Sequence, residues 1–193
     1  IPLIVAPQKK IVKENILSRR LNVPVFFVDK NFDDRDDNYS TALISLLNLV
    51  SVDVKVFDDV YEKLKMIARF DVREISGVKV VFDMAHTSQS AEMLVHKLNE
   101  KFNSDDAEFV FVFSMMKGKD AKGFFEKMKN INLKKIFFTS SHETRSMSVN
   151  ELAGIFKKTF GIRAGKIDIE LINDSSVAFE KALCEAKIKI GNK

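Results

Sequence analysis

The sequence beyond Phe70 alternates short apolar runs with segments whose apolar residues are three and four apart. The apolar runs predict strands, and the three-and-four spacing predicts helices. The predicted strands in this part of the chain are residues 70–75, 78–82, 109–113, 135–139 and 167–172. The first two form a predicted β-hairpin, because Ser76-Gly77 between them suits a two-residue turn. Strict alternation of strand and helix after the hairpin favours an α/β fold with a doubly wound, mostly parallel sheet.

The part of the chain before Ile67 has a less regular pattern. Its apolar residues predict short strands at residues 3–5 and 25–28 and helices near residues 11–17, 38–50 and 57–64. This change of pattern places a predicted domain boundary at about Ile67. Residues 1–66 then form the end of one domain, and residues 67–193 form a second.

The composition is that of an ordinary soluble globular protein, with 46% hydrophobic and 30% charged residues in a chain of 193. The net charge of +4 is small, and no Lys/Arg run is interleaved with aromatic residues, so nucleic-acid binding is not expected. The single cysteine, Cys184, excludes an intrachain disulfide and favours a reducing, cytoplasmic location. The apolar runs are too short to cross a bilayer, so no membrane partner is expected.

Several familiar sites are absent from the sequence. It contains no Gly-x-Gly-x-x-Gly, no Gly-x-x-x-x-Gly-Lys-Ser/Thr and no Gly-x-Ser-x-Gly. The acidic loop at residues 31–37 has four aspartates, but it lacks the glycine and the closing glutamate of an EF-hand. No metal site is therefore predicted within this chain.

The strand predicted at residues 78–82 ends in Asp83, and His86 follows just before a helical pattern. In open α/β sheets ligands bind at the carboxyl ends of the strands, so both side chains are candidates for a binding site. Ser88 is the predicted N-cap of the helix, whose first N–H groups would favour an anion there. An equally good interpretation is that Asp83 is a turn or capping carboxylate and His86 a loop histidine.

Three segments in this order resemble a known family. Residues 68–72 read Ala-Arg-Phe-Asp-Val, residues 81–87 read Val-Phe-Asp-Met-Ala-His-Thr, and residues 111–120 read Phe-Val-Phe-Ser-Met-Met-Lys-Gly-Lys-Asp. They are similar to Gly-Arg-x-Glu, Leu-Asp-Gly-Ala-His-Asn and Phe-Gly-x-x-x-Asp-Lys-Asp in the C-terminal half of folylpolyglutamate synthase, a branch of the Mur ligases. The resemblance covers nearly the whole chain. It implies a Rossmann-like ligase domain at residues 67–193, preceded by the tail of a central ATP-binding domain at residues 1–66.

The sequence also departs from the family pattern. Met66-Ile67-Ala68 stands where the family has Trp-Pro-Gly, Met84 replaces a glycine, and Thr87 replaces an asparagine. Asp-x-Ala-His-Thr is instead the motif of the murein-peptide ligases. The resemblance further implies that the phosphate loop, the magnesium ligands and a carbamylated lysine precede Ile1 and that a last strand follows Lys193, so a fragment cut at both ends is expected.

For activity, the resemblance implies an ATP-dependent amide ligase that adds glutamate to a folate through an acyl phosphate. Carried over by position, Asn38 would contact the adenine, Arg69 the phosphates and Asp83 the ribose hydroxyls. Lys119 and Asp120 are weaker candidates for the nucleotide. The alternatives are purely structural roles: an N-cap for Asn38, a surface ion pair for Arg69 and a helix-start pair for Lys119 and Asp120.

The remaining roles concern the acyl phosphate and glutamate. His86 is the catalytic candidate, and His142 or Arg145 would receive the α-carboxylate of glutamate; an exposed loop arginine is the alternative for Arg145. The implied cofactors are ATP and Mg²⁺, with the metal ligands outside this chain, and the implied protein is a monomer that binds only small molecules. The chain alone is expected to be inactive. A murein-peptide ligase and a non-catalytic binding module remain the alternative functions.

Overall fold

The computed structural model describes residues 3–6, 9–19, 21–28, 37–63, 68–102, 107–140 and 144–190. It divides into two compact units, Ile1–Lys65 and Met66–Lys193. Within the described ranges, every helix is too short or too polar to span a membrane. Residues 31–36 of the predicted acidic loop, and His142, lie outside the described residues, so the predictions made for them stay predictions.

The first unit contains two short parallel strands and three helices. Its elements are β1 (Leu3–Val5), α1 (Lys10–Ser18), β2 (Val25–Phe27), α2 (Asp37–Leu47) and α3 (Val54–Lys63). Tyr39 is fully buried, with its ring edge-on to Phe57 and Tyr61 and its hydroxyl hydrogen-bonded to the Asp58 carboxylate. This aromatic cluster joins α2 to α3, and it gives the polar end of a buried tyrosine the partner it needs.

The second unit alternates strands and helices as the sequence predicts. Its elements are β3 (Asp71–Ile75), β4 (Val78–Phe82), α4 (Ser88–Phe102), β5 (Phe109–Phe113), α5 (Ala121–Met128), β6 (Leu133–Phe138), α6 (Val149–Phe160), β7 (Asp168–Leu171) and α7 (Ser175–Ile190). The predicted hairpin of β3 and β4 is confirmed. Ser76 and Gly77 turn it with φ values of 53° and 81°, the left-handed pair that suits a tight hairpin.

Strands β5, β6 and β7 form a parallel sheet with helices on both faces. One face packs on α4, α5 and α6 through an aromatic core in which Phe125, Phe138 and Phe156 are fully buried and contact one another edge to face. The other face packs on α7, whose Ala178 and Ala182 lie against Phe137. Burying a phenylalanine side chain stabilises by roughly 1.5 to 3 kcal/mol. The doubly wound, mostly parallel α/β prediction is confirmed.

The sheet differs from the single continuous sheet that the sequence pattern suggests. Among the described residues, β3 pairs with β4, and β5–β6–β7 pair with one another, but β4 and β5 are not hydrogen-bonded. Hydrophobic runs identify strands but contain no information on which distant strand pairs with which. The separation leaves a cleft between β4 and β5.

The ammonium of Lys135 joins β6 to β7 and α7. Its Nζ lies 2.8 Å from Asp168, 3.5 Å from Glu170 and 3.3 Å from Glu185, and its side chain is only 14% exposed. The hydrogen bond to Asp168 is the main cause of a raised Lys135 pKa. The pKa of Glu170 is lowered, first by its hydrogen bond from Lys181 and then by Lys135.

Replacing Lys135 with methionine should lower the free energy of unfolding at neutral pH by about 1 to 2 kcal/mol, because three carboxylates lose a shared, partly buried donor. A raised lysine pKa stabilises the fold below its ordinary value of 10.5, and a lowered glutamate pKa does so above its ordinary value of 4.5. The difference between wild type and Lys135→Met, measured by urea unfolding, should therefore be greatest between pH 4.5 and 10.5 and shrink below and above these values. Lys134→Met is the control, because Lys134 forms one exposed ion pair, with Glu108; equal losses in both variants would contradict the assignment.

Candidate active site

The candidate site residues of the second unit lie in the loops that follow the strands. Arg69, Asp83 and His86 belong to segments at the open end of the β3–β4 hairpin, and Lys119, Asp120 and Arg145 belong to the loops after β5 and β6. Asp83 and Ser114, which directly follow β4 and β5, line the same cleft. Asn38 lies in the first unit, at the start of α2.

The Asp83 carboxylate forms hydrogen bonds with the segments at both ends of the hairpin. Its Oδ2 accepts the backbone N–H of Phe70 at 2.7 Å, and its Oδ1 accepts that of Ala85 at 2.8 Å. The N–H of Met84 completes the junction by donating to the Ala68 carbonyl at 2.9 Å. Asp83 therefore has the turn role that the sequence left open. It remains exposed, and an ionised carboxylate can accept about four hydrogen bonds, so lone pairs are left that can accept from a ligand.

Arg69 lies between two residues with left-handed backbone. Ala68 has φ of 62° and Phe70 has φ of 51°, conformations that residues other than glycine rarely adopt. Arg69 is exposed, and its guanidinium has no hydrogen bond or ion pair with any residue that the structure describes. The strained backbone is fixed by the hydrogen bonds of Asp83, so the backbone of this arginine is held at a defined place.

His86 and Thr87 lead into α4. The Nδ1 atom of His86 lies 2.9 Å from the Met84 carbonyl, a contact that leaves Nε2 as the acceptor when Nδ1 carries the proton. The Thr87 Oγ1 accepts the N–H of Ser90, and the Ser90 Oγ accepts those of His86 and Thr87. The helix cap is therefore Thr87, and the prediction of Ser88 is wrong by one residue, because Ser88 is already the first helical residue.

The loops after β5 and β6 are joined by backbone hydrogen bonds. Lys117 donates its N–H to the Arg145 carbonyl at 2.7 Å, and Met147 donates to Met115 at 2.8 Å, around an antiparallel bridge of Met116 and Ser146. The Lys117 ammonium lies 3.5 Å from the Thr144 carbonyl. Lys119 and Arg145, predicted for the nucleotide and for glutamate, are thereby brought into one connected structure. Both are exposed.

Asp120 is the N-cap of α5. Its Oδ1 accepts the N–H of Gly123 at 2.8 Å, and a Cβ at Gly123 would lie only 2.1 Å from its Oδ2. The helix-start interpretation of Asp120 is confirmed. Its proposed nucleotide contact remains a prediction, and the cap already uses one of its oxygens.

Among the described residues of these loops, the acidic and basic side chains differ in their partners. The carboxylates Asp83 and Asp120 face backbone N–H donors, while Arg69 and Lys119 make no hydrogen bond or ion pair with their side chains in the described part of the chain. Such an edge suits an anionic ligand with several oxygens. The described residues include no group of three or more His, Cys, Asp or Glu placed to hold a metal ion.

Sequence reasoning missed the groups that hold the site in place. These are the Phe70 N–H, the Ser90 hydroxyl and the backbone of Lys117. Only the cap itself had a usable signal, because Thr87 and Ser90 are residue types that are preferred where a helix begins. The backbone contacts of Phe70 and Lys117 link loops that are distant in sequence, and no pattern of side chains predicts such contacts.

A family model described as Mur ligase, glutamate ligase domain, matches residues 68–189. The chain therefore belongs to the Mur ligase family, as its motifs predicted. The comparison with curated proteins gave no match.

Solved structures of similar fold are folylpolyglutamate synthases. The Mycobacterium tuberculosis enzyme, complexed with ADP and AMPPCP, is 17% identical with a TM-score of 0.76, over 98% of this chain and 48% of that one. E. coli FolC in complex with DHPP and ADP is 16% identical with a TM-score of 0.75, over 96% and 47%. The bifunctional folylpolyglutamate synthase/dihydrofolate synthase of Yersinia pestis, complexed with AMPPNP and Mn ion, is 15% identical with a TM-score of 0.70, over 96% and 47%. The chain thus spans about half the length of these proteins.

Replacing Ala68 with glycine should stabilise the protein by about 0.5 to 1 kcal/mol. Glycine relieves a left-handed conformation that costs other residues roughly 1 to 2 kcal/mol, and part of this gain is offset by greater freedom in the unfolded chain. The urea midpoint measures the effect. Ala85→Gly is the control, because Ala85 lies in the same junction with ordinary backbone and should lose stability. A loss in both variants would show that Ala68 is not strained.

Proposed function

We propose that the full-length protein is an ATP-dependent carboxylate–amine ligase of the folylpolyglutamate synthase type, which adds glutamate to a folate. The observation that carries this proposal is the match of residues 68–189 to the glutamate ligase domain of the Mur ligases. The likeness to folylpolyglutamate synthases over nearly the whole chain supports the choice of acceptor.

The proposed reaction has two steps. A folate carboxylate oxygen attacks the γ-phosphorus of ATP, which releases ADP and forms an acyl phosphate. The amine of glutamate then attacks the acyl carbon, loses a proton and expels inorganic phosphate, leaving an amide. Positioning of the reactants and neutralisation of phosphate charge supply most of the catalysis in such transfers.

In this chain we assign the nucleotide to the junction of Arg69 and Asp83. Arg69 is exposed, its guanidinium has no hydrogen bond or ion pair with the described residues, and its planar donors match phosphate oxygens. Asp83 keeps lone pairs beyond those used by Phe70 and Ala85, and these can accept the two ribose hydroxyls. Lys119 and Asp120 are assigned to the phosphates as weaker contacts, and the assignment of Asn38 to the adenine stays a prediction from the resemblance.

Relatives of this chain have been solved with ADP, AMPPCP and AMPPNP, one of them with Mn ion. A divalent ion would neutralise phosphate charge during transfer. The described residues of this chain do not provide a cluster of metal ligands, so we assign none of them to the metal. His86, whose Nε2 is left as an acceptor when Nδ1 donates to Met84, is assigned a catalytic role near the acyl phosphate.

The glutamate substrate is assigned to the loop after β6. Arg145 is exposed in this loop, and its backbone is held by Lys117 from the loop after β5. A guanidinium pairs with a carboxylate through two parallel hydrogen bonds, which suits the α-carboxylate of an amino acid. His142, in the same loop, is the second candidate.

A murein-peptide ligase is the alternative among ATP-dependent amide ligases, because residues 83–87 match its Asp-x-Ala-His-Thr motif. In this structure Thr87 caps α4 through its hydroxyl, and asparagine is as good a cap as threonine. The choice of threonine at this position therefore has a local structural explanation. It favours neither a folate nor a murein peptide as the acceptor.

The full-length protein should release ADP only when ATP, a reduced folate and glutamate are all present, and mass spectrometry should find the folate extended by glutamate. Arg69→Ala should lower kcat/KM for ATP by roughly tenfold to a hundredfold, because a charged hydrogen-bond donor to phosphate is lost. Its unfolding midpoint should not change. Lys157→Ala, which removes an exposed charge from α6, is the control.

Two results would reject parts of this proposal. ADP release with a muropeptide acceptor in place of folate would select the murein-peptide ligase, and no ADP release with either acceptor would select a non-catalytic module. An Arg69→Ala variant with full catalytic efficiency would remove Arg69 from the nucleotide site while leaving the ligase assignment intact.

Arg145→Ala should raise the KM for glutamate by roughly tenfold or more and leave the KM for ATP within about twofold, because only the amino acid loses its carboxylate partner. Arg145→Lys keeps the charge without the planar fork, so it should fall between the two. Initial rates at varied glutamate and varied ATP measure this separation. Equal changes in both KM values would point to a structural role for the loop.

A further inference from the structure

Phe70 has a backbone conformation that an aromatic residue rarely adopts. Its φ is 51°, in the left-handed region where the Cβ atom of an ordinary residue crowds the following carbonyl oxygen. Rotation about the φ bond would relieve this crowding, and it would turn the chain before Phe70 relative to β3. The position of Arg69 relative to the hairpin therefore depends on whether Phe70 keeps its conformation.

The amide of Phe70 is held by Asp83. The Asp83 Oδ2 accepts the Phe70 N–H at 2.7 Å, which fixes the peptide unit between Arg69 and Phe70. Rotation about the φ bond leaves this N–H in place, so the hydrogen bond restrains the peptide unit but not the ring. Strained conformations persist where several contacts together hold them, and here the second contact is made by the ring.

The ring of Phe70 is held by a lysine of α4. The Lys97 Nζ lies 5.8 Å from the centroid of the ring. The face of an aromatic ring carries partial negative charge and attracts a cation within about 6 Å. A rotation of Phe70 out of the left-handed region would carry its ring away from this ammonium, so the contact opposes the rotation.

Lys97 has no competing partner in the part of the chain that the structure describes. Its ammonium makes no hydrogen bond or ion pair there, and its side chain is half-buried. Residues four apart face each other on a helix, and the residues four before and four after Lys97 are Met93 and Lys101. Neither offers a carboxylate. The charge of Lys97 is therefore available to the Phe70 ring.

We propose that Lys97 is a positioning residue, which holds Phe70 in its left-handed conformation through the ring and thereby fixes the backbone of Arg69. The Asp83 carboxylate and the Lys97 ammonium then act on the same residue, one on its amide and one on its ring. The consequence for ATP rests on the proposed function. The hold on Phe70 does not.

Hydrogen exchange of the Phe70 amide in the full-length protein, measured by NMR, tests the hold on Phe70. Lys97→Met keeps the apolar stem and removes the charge, so it should speed this exchange about two- to fivefold, the change that corresponds to one cation–π contact at an exposed site. Lys97→Arg should keep the slow rate, because a guanidinium also binds ring faces. Lys101→Met, which removes the same charge one turn later on α4, should have no effect. An unchanged Phe70 rate in Lys97→Met would overturn the proposal.

Steady-state kinetics test the consequence for Arg69. Lys97→Met should lower kcat/KM for ATP about two- to fivefold and leave the KM for glutamate unchanged, and Lys97→Arg should restore the wild-type value. In an Arg69→Ala or a Phe70→Leu background, Lys97→Met should cause no further loss, because its effect passes through both residues. A loss that persists in these backgrounds would mean that Lys97 contacts the nucleotide directly, which contradicts a positioning role.

The two sets of measurements separate this proposal from the proposed function. A full-length protein that releases no ADP rejects the ligase, and the Phe70 exchange rate then decides alone whether Lys97 holds the residue. An active ligase whose Phe70 amide exchanges equally fast with and without the Lys97 charge keeps the proposed function and rejects the role of Lys97.

Discussion

The arrangement of the candidate site depends on one carboxylate. Asp83 accepts N–H groups from both sides of the hairpin's open end, from Phe70 at 2.7 Å and from Ala85 at 2.8 Å. These bonds hold the left-handed backbone around Arg69 and fix the start of the loop that contains His86. A charged acceptor makes stronger hydrogen bonds than a neutral one, which suits a junction that must hold strained residues. Two candidate ligand groups are therefore positioned by a third that can itself bind ligand.

The sequence predicted what is set locally. Apolar spacing located the strands and helices of the second unit, and Ser76-Gly77 located its hairpin, because each of these depends on neighbours along the chain. The cap of α4 was predicted at Ser88 but is Thr87. Thr87, Ser88 and Ser90 all have hydroxyl groups, and the sequence does not distinguish which of them caps the helix. The gap between β4 and β5 and the bond from Lys117 to Arg145 were beyond prediction, because both depend on pairing of distant segments.

The departures from the family pattern become intelligible from the backbone. Ala68 occupies the position of the family's glycine and has φ of 62°, so the glycine there answers a conformational need that alanine meets with strain. Met84, which replaces another glycine, is not among the residues of positive φ, so this position tolerates a side chain. The residues that differ most from the family therefore affect how the junction is built, whereas Arg69, Asp83 and His86 keep the groups that could contact ligand.

Exposure limits what this edge can do in water. Two unit charges 4 Å apart attract by only about 1 kcal/mol in bulk water, but by about 4 kcal/mol at the effective dielectric constant of about 20 that is typical near a protein surface. Arg69, Lys119 and Arg145 are all exposed in the second unit by itself, so their attraction for phosphate or carboxylate is weak in this state. The same charges become effective once water is excluded from around them. Covering the edge by bound substrate is thus the physical step that would turn an arrangement of loops into a binding site.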